Sequence, residues 1–176
     1  MAIGVQRRRV YTQDEVEDIV RASERRLSRA GRGETGHSGR RHVLITNVQL
    51  EARGQAFYED GRTDIPIACA FVSNAQAFGA VTEVLNSQQG QDALRDLDDN
   101  GITGTRVRVE ATVQPIGCRY SSGMGIVRVA MVTQTLVLIE RIEQIEYHGI
   151  HIHTAFPLLA FRRGRPAWLD HRNVWH

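Results

Sequence analysis

The chain has no lysine: all 22 basic residues among its 176 are arginine. Lysine chemistry is therefore excluded, whether as Schiff base, amine general base or ammonium anchor for phosphate. Any fixed side-chain cation has to be a guanidinium, whose planar fork matches phosphate oxygens in pairs. Long apolar runs are also missing. Nothing reaches the roughly 18 residues needed to cross a bilayer, and the arginines of MAIGVQRRRVYT are not followed by the apolar core of a secretory signal. Cysteine is scarce. Cys69 and Cys118 both sit in strand-like apolar contexts and read as buried free thiols, with no spacing that suggests zinc. Neither GxGxxG nor GxxxxGK[ST] occurs, so no nucleotide-cradling loop is indicated.

What is present fits one domain with a real core, since 41% of residues are hydrophobic and 24% charged. The net charge of +2 conceals a segregated pattern. Residues 1–53 hold eleven arginines against seven acids, residues 54–104 two against eight, and the tail from 162 four against one. Basic ends flanking an acidic middle allow an anionic partner at one surface.

Thr12 and Glu15 form a capping-box pattern, and Val16, Ile19, Val20 and Leu27 fall on one face of a helix that Gly31 ends. The glycine-rich GRGETGHSG that follows makes this helix a candidate attachment element. Thr46 and Gln49 repeat the capping spacing and open a second helix toward Phe57. IPIACAFV reads as a short strand. A helix capped by Ser73 or Asn74 follows, with Ala77, Phe78, Val81 and Leu85 on its apolar face. DALRDLDDNG reads as a short helical turn. From residue 105 the period becomes two, and RVRVEATV, GIVRVAMVTQTLVLIERI and IHIHTAFPLLAF predict an antiparallel sheet. Helices first and sheet afterward argue an α+β fold, the N-terminal helices packed on a C-terminal antiparallel sheet.

Two stretches concentrate chemistry. In GHSGRRHV, His37 and His42 flank Arg40 and Arg41. Histidine moves protons near neutrality, and paired guanidinium donors stabilise a phosphorane-like dianion. Metal-free RNA cleavage needs those parts: a base for the 2′-hydroxyl proton, an acid for the leaving 5′-oxygen, and donors on the phosphate. The alternative is a solvated, glycine-rich linker. In YHGIHIHTAFP, strand alternation places His151 and His153 on one face and Ile152, Thr154 and Phe156 on the other. A paired HxH can bind metal, but the sequence offers no evident third ligand in the sheet region. His148 stands before Gly149 in an expected turn. The tail RRGRPAWLDHRNVWH interleaves arginine with tryptophan, which suits either phosphate gripping and base stacking or folding back on the sheet.

The order of these pieces resembles the ribonuclease toxin domains at the C-termini of bacterial polymorphic and contact-dependent inhibition toxins. The likeness is greatest to the bacterial ribonuclease A-like group, near the barnase–EndoU–colicin–RelE set. Those domains open with a GH-T-x-x-RH-V-like stretch, here GHSGRRHV, followed by a T-(N/D)-x-x-L-x-x-R helix, here TNVQLEAR. An (A/S)-x-x-F strand then leads into an alanine-rich helix, here IACAFVSNAQAFGAVTEVL. They close on TAYP, here TAFP at residues 154–157. The resemblance covers about residues 34–160.

It implies His37 as a general acid or base, His42 as its partner or a structural residue, and Thr154 as a hydroxyl on the scissile phosphate. The family arginine maps to Arg53 by the helix motif, or to Arg41 beside the histidines, with Arg40 as a further phosphate contact. The family tyrosine is Phe156 here, so a phenolic donor is lost, and His153 after a local bulge, or His148, would have to compensate. Regular alternation points His153 away from Thr154.

The organisation expected on this basis is an N-terminal helical extension at 1–33, a ribonuclease-like domain at 34–161 and an arginine-rich tail at 162–176. The implied function is a metal-independent endoribonuclease toxin that leaves a 2′,3′-cyclic phosphate and needs no cofactor. Its expected partners are an RNA substrate, with tRNA a candidate, an acidic immunity protein, and a delivery or carrier component docking through residues 12–30. The chain would be made in the bacterial cytoplasm without a signal peptide and act in a target cell's cytoplasm. The alternatives are a non-catalytic RNA-binding or protein-docking module of the same fold, and a metal-dependent phosphoesterase using His151 and His153.

Overall fold

Thr12 and Glu15 close a reciprocal cap: the Thr12 hydroxyl accepts from the Glu15 N–H at 3.2 Å, and the Glu15 carboxylate accepts from the Thr12 N–H at 2.8 Å. Two of the orphan donors of a helix start are thereby satisfied, and α1 runs Gln13–Arg25. The computed structural model describes residues 9–25, 43–62, 66–100, 102–121, 127–142, 149–162 and 165–167. Leu27, the Gly31 stop, His148 and the tail tryptophans and histidines lie outside the described residues.

The second helix, α2, spans Asn47–Glu59 and starts at the expected box, with Thr46 accepting from the Gln49 N–H and the Gln49 side chain accepting from the Thr46 N–H. Ser73 caps α3, Asn74–Asn86, whose Ala77, Phe78, Val81 and Leu85 are buried as their spacing predicts. The next helix is longer than the turn the sequence suggested. Helix α4 spans Gln88–Asp99 because Ser87 serves two helices: its N–H donates to the Val84 carbonyl at the end of α3, and its hydroxyl accepts from the Gly90 N–H to open α4. Gly90 is required at that corner, since a Cβ there would lie 2.0 Å from the Val84 oxygen.

Strands β1 (Ala68–Phe71), β2 (Arg106–Ser121), β3 (Val127–Arg141) and β4 (Ile150–Pro157) form one antiparallel sheet in the order β1-β2-β3-β4. The described residues thus make an α+β fold of four helices and a four-stranded antiparallel sheet, with two short strands, β5 (Ala160–Arg162) and β6 (Arg165–Ala167), paired beyond it. A register shift between Thr112 and Ile116 divides β2. Its second half pairs with β1, while the stretch of β3 opposite its first half continues to β4.

One face of the sheet carries the main core. Val109, Cys118, Val137, Ile139 and Ile152 pack there with Val16, Ile19 and Val20 of α1, Val81, Val84 and Leu85 of α3, and Leu97 of α4. The helix expected as part of an N-terminal extension therefore contributes to the same core as the sheet. Ala68 and Ala70 alternate with Cys69 and Phe71 along β1 and pack with Leu50, so α2 lies on the opposite face. The Arg141 guanidinium donates to the Leu97 carbonyl, satisfying an acceptor in the last turn of α4 and tying that helix to β3. Among the described residues, no helix is long and apolar enough to cross a membrane.

Candidate functional site

The sequence IHIHTAFP folds as the edge strand β4, and its register against β3 decides which side chains meet. Thr154 pairs with Leu138, Ile152 with Ile139, His151 with Glu140 and Phe156 with Leu136. Three consecutive β3 residues thus oppose four of β4, and His153 is the extra residue of a β-bulge. Glu140, Leu138 and Leu136 share a face of β3, so their partners His151, Thr154 and Phe156 share a face of β4, opposite the core face that holds Ile152 and Ala155. Regular alternation had put Ile152 with Thr154 and set His151 apart from Thr154. The bulge overturns both placements, because one inserted residue inverts the pattern for everything after it.

The bulge also redirects His153. Its Nδ1 lies 3.8 Å from Glu140 Oε2, and its ring centroid is 6.2 Å from that of His151. His153 therefore reaches the face that carries Thr154. Glu140 is the third donor that the sequence did not reveal: one donor atom each from Glu140, His151 and His153 all lie within 4.8 Å of one another. Arg106, paired with Glu140 across the β2–β3 ladder, donates its Nε to Glu140 Oε2 at 2.8 Å and fixes the carboxylate. His151 is 2% exposed, while the side chains of Glu140 and His153 keep 15% and 19%.

The free edge of β4 is closed by α1. The Ile152 N–H donates to Ser23 Oγ at 2.9 Å, and that hydroxyl donates to the Ile19 carbonyl at 2.7 Å. A buried edge donor is satisfied by a helix side chain, which holds the strand beside the bulge in place. Thr154 is buried and Phe156 half-buried.

A second group of contacts forms around Arg119 on β2. Its Nη2 donates to the Val43 carbonyl at 2.7 Å and the Ile45 carbonyl at 2.9 Å, while Nη1 donates to Asn47 Oδ1 at 3.1 Å. Arg119 alternates with the core residues Cys118 and Tyr120, so it pins the segment before α2 to the outer face of the sheet. His37, Arg40, Arg41 and His42 lie outside the described residues, but Val43, which follows His42 in the chain, is held by this clamp. Arg53 is half-buried on α2 beside Gly54, which faces Ser121 at the end of β2 and the backbone of Pro66 and Ile67 just before β1.

Thiol chemistry is not offered. Cys69 and Cys118 are free. The hydrogen bond to Cys118, together with burial, holds the Cys69 thiol well above the ordinary thiol range, so it carries no thiolate near neutrality. What the β4 face does offer is imidazole, carboxylate and hydroxyl in one place, the groups needed for proton transfer or for holding a cation.

No protein-family model and no curated protein matches this chain. Among solved structures it is similar to a chain of the crystal structure of a CdiA-CT/CdiI complex from Y. kristensenii, with a TM-score of 0.51 and 21% identity over 70% of this chain and 99% of that chain. At that identity the likeness shows a shared fold, one that takes in nearly the whole of the other chain.

Proposed function

We propose that this chain is a toxin that cleaves RNA by metal-independent transesterification and is neutralised by a cognate immunity protein. The observation that carries the reading is the fold shared with a chain of the CdiA-CT/CdiI complex. CdiA-CT names the C-terminal region of a contact-dependent inhibition toxin and CdiI its immunity protein. The ordered motifs from GHSGRRHV to TAFP support the nuclease chemistry within that fold.

In the proposed reaction, the 2′-oxygen attacks the adjacent phosphorus, the bond from phosphorus to the 5′-oxygen breaks, and a 2′,3′-cyclic phosphate is left. His37 takes or gives one of the two protons, with His42 as its partner or support. Thr154 donates its hydroxyl to a phosphate oxygen. Arg41 or Arg53, with Arg40 beside them, neutralises the dianion. His153, turned onto the Thr154 face by the bulge, stands in for the phenol that Phe156 lacks. The nuclease motifs lie in residues 34–161, between residues 1–33, whose α1 packs into the same core, and the tail at 162–176, and residues 12–30 dock a delivery component. The toxin acts in the cytoplasm of a target cell, on tRNA or bulk RNA.

Phe156 favours a second reading, a non-catalytic module of the same fold that binds RNA or protein. The Glu140–His151–His153 group favours a third, a metal-dependent phosphoesterase. One experiment separates all three: total RNA is incubated with the wild type, His37→Ala and Thr154→Ala, once in EDTA and once with added divalent metal. Cleavage by the wild type alone, leaving cyclic-phosphate ends, is expected. Intact RNA with all three proteins under both conditions would leave the binding module, and cleavage with metal that EDTA abolishes would leave the metal enzyme.

A further inference from the structure

We infer that Glu140, His151 and His153 form a zinc-binding site, and that zinc held there switches off the nuclease rather than driving it. Three donors of the types zinc prefers, two imidazoles and one carboxylate, come from two hydrogen-bonded strands, with donor atoms within 4.8 Å of one another. Tetrahedral zinc at bond lengths of about 2.0–2.2 Å needs ligand atoms roughly 3.4 Å apart. Side-chain rotations of about an ångström close that gap, and no backbone movement is required. The strands are already fixed by the ladder, by the Ser23 bond at Ile152 and by Arg106.

The bulge is what makes the set possible. Two histidines at i and i+2 of an edge strand, the second being the inserted residue of the bulge, both approach one cross-strand carboxylate. Arg106 does not compete for the site. Its Nε occupies one lone-pair direction of Glu140 Oε2, and a carboxylate offers about four. A guanidinium on the outer side of a metal-binding carboxylate is the ordinary arrangement that orients a ligand. Glu140 and His153 retain partial exposure, which gives the ion a way in, while the burial of His151 shields the bound ion from water.

The inhibitory consequence rests on the proposed ribonuclease reading; zinc binding does not. An imidazole nitrogen that ligates zinc cannot also accept or donate a proton, so an occupied site ties the His153 ring to Glu140 and His151 and takes that nitrogen out of the reaction at the phosphate that Thr154 meets. The ion would add a cation there, but one whose protein ligands include the imidazole that the reaction needs.

The test uses the full chain with cobalt(II) and zinc(II) as probes. Four-coordinate cobalt absorbs strongly in the visible range, which reads binding without any activity. One equivalent of cobalt should give that absorption, zinc should displace it, and zinc should raise the melting temperature of the wild type. Glu140→Gln and His153→Asn should each weaken binding by more than about tenfold. The double change His171→Asn, His176→Asn in the tail should leave binding as it was. Melting curves of the apo-proteins show which variants fold, and either single variant suffices for the comparison.

Absence of cobalt absorption in the folded wild type, or its persistence in a folded Glu140→Gln or His153→Asn, would overturn the site. With binding established, RNA cleavage that is full in EDTA and falls as zinc fills the site supports the switch. Cleavage that appears only with zinc overturns the switch and returns the metal-dependent phosphoesterase. Binding without any cleavage under either condition overturns the ribonuclease reading, and the switch with it, but leaves the zinc site standing.

Discussion

Arg119 holds the carbonyl of Val43 at 2.7 Å, joining the outer face of β2 to the residue that follows His42. The same guanidinium takes the Ile45 carbonyl and the Asn47 side chain, so one fork organises the whole entry into α2. Arg119→Met removes the donors and leaves two backbone carbonyls without their charged partner. Hydrogen bonds to charged groups contribute about 1.5–3 kcal/mol each, and their loss is not additive, so a destabilisation of about 2–4 kcal/mol is expected in urea denaturation. Arg119→Lys should recover little of it, because an ammonium is a point charge and cannot reach three acceptors as the fork does. RNA cleavage, assayed where the variant is still folded, should fall further than the folded fraction does.

The helices were legible because their ends are written in residues that act locally. Thr12 with Glu15, Thr46 with Gln49, and Ser73 each cap the turn beside them, and the apolar spacing then runs from a known start. The sheet was legible from its period. Its register was not. The bulge at His153 exists only in relation to β3, and Glu140 becomes a neighbour of His151 and His153 only through that pairing. Glu140 is one of three glutamates in LIERIEQIEYHG, and nothing in that stretch sets it apart from Glu143 and Glu146. Arg119 was missed for the same reason: an arginine between Cys118 and Tyr120 reads as a solvated strand residue until α2 is docked. Ser87 did carry a signal, a serine three residues before a glycine between two helical patterns, and it explains why α4 begins at Gln88.

Gly90 gives the sharpest stability test of that corner. A Cβ at this position would meet the Val84 oxygen at 2.0 Å and the Leu85 oxygen at 2.8 Å, both backbone atoms that cannot swing aside. Gly90→Ala would ordinarily help a helix by up to about 1 kcal/mol. Here it should destabilise by roughly 3 kcal/mol or more, in line with forced overpacking and backbone displacement. Thermal unfolding of Gly90→Ala beside Gly79→Ala makes the comparison. A Cβ at Gly79 would meet only the Gln13 side chain, at 3.7 Å, so that variant should be neutral or slightly stabilising.

Tyr11 predicts an alkaline limit. Burial pushes its phenol up from an ordinary 10.0 to about 12, with Arg9 opposing the shift. A proton held more tightly in the folded state means that Tyr11 contributes its full stabilisation below pH 10, and that the contribution is lost as pH rises from about 10 to 12. The shift corresponds to roughly 3 kcal/mol over that window. Tyr11→Phe has no proton to lose, so its stability should fall less steeply between pH 9 and 12. Denaturant unfolding at fixed ionic strength measures both slopes, and parallel slopes would show that Tyr11 is not the group responsible.

Phe156 gives the functional test closest to the proposed chemistry. It pairs with Leu136, and Thr154 with Leu138, so the two side chains lie on one face of β4, two residues apart. A hydroxyl added at the ring's far edge would stand beside the Thr154 hydroxyl and supply a second donor to the same phosphate. A transition-state donor of this kind contributes about 10²–10³ in rate when its geometry is fixed. Because the proposed chemistry already gives His153 part of that role, Phe156→Tyr should raise single-turnover RNA cleavage in EDTA by about tenfold. The gain should disappear in Thr154→Ala, since the phosphate would no longer be held where the phenol could reach it. It should grow in His153→Asn, where the phenol becomes the principal donor. An unchanged rate in Phe156→Tyr, with the protein folded and the wild type active, would mean that this face of β4 does not meet the phosphate.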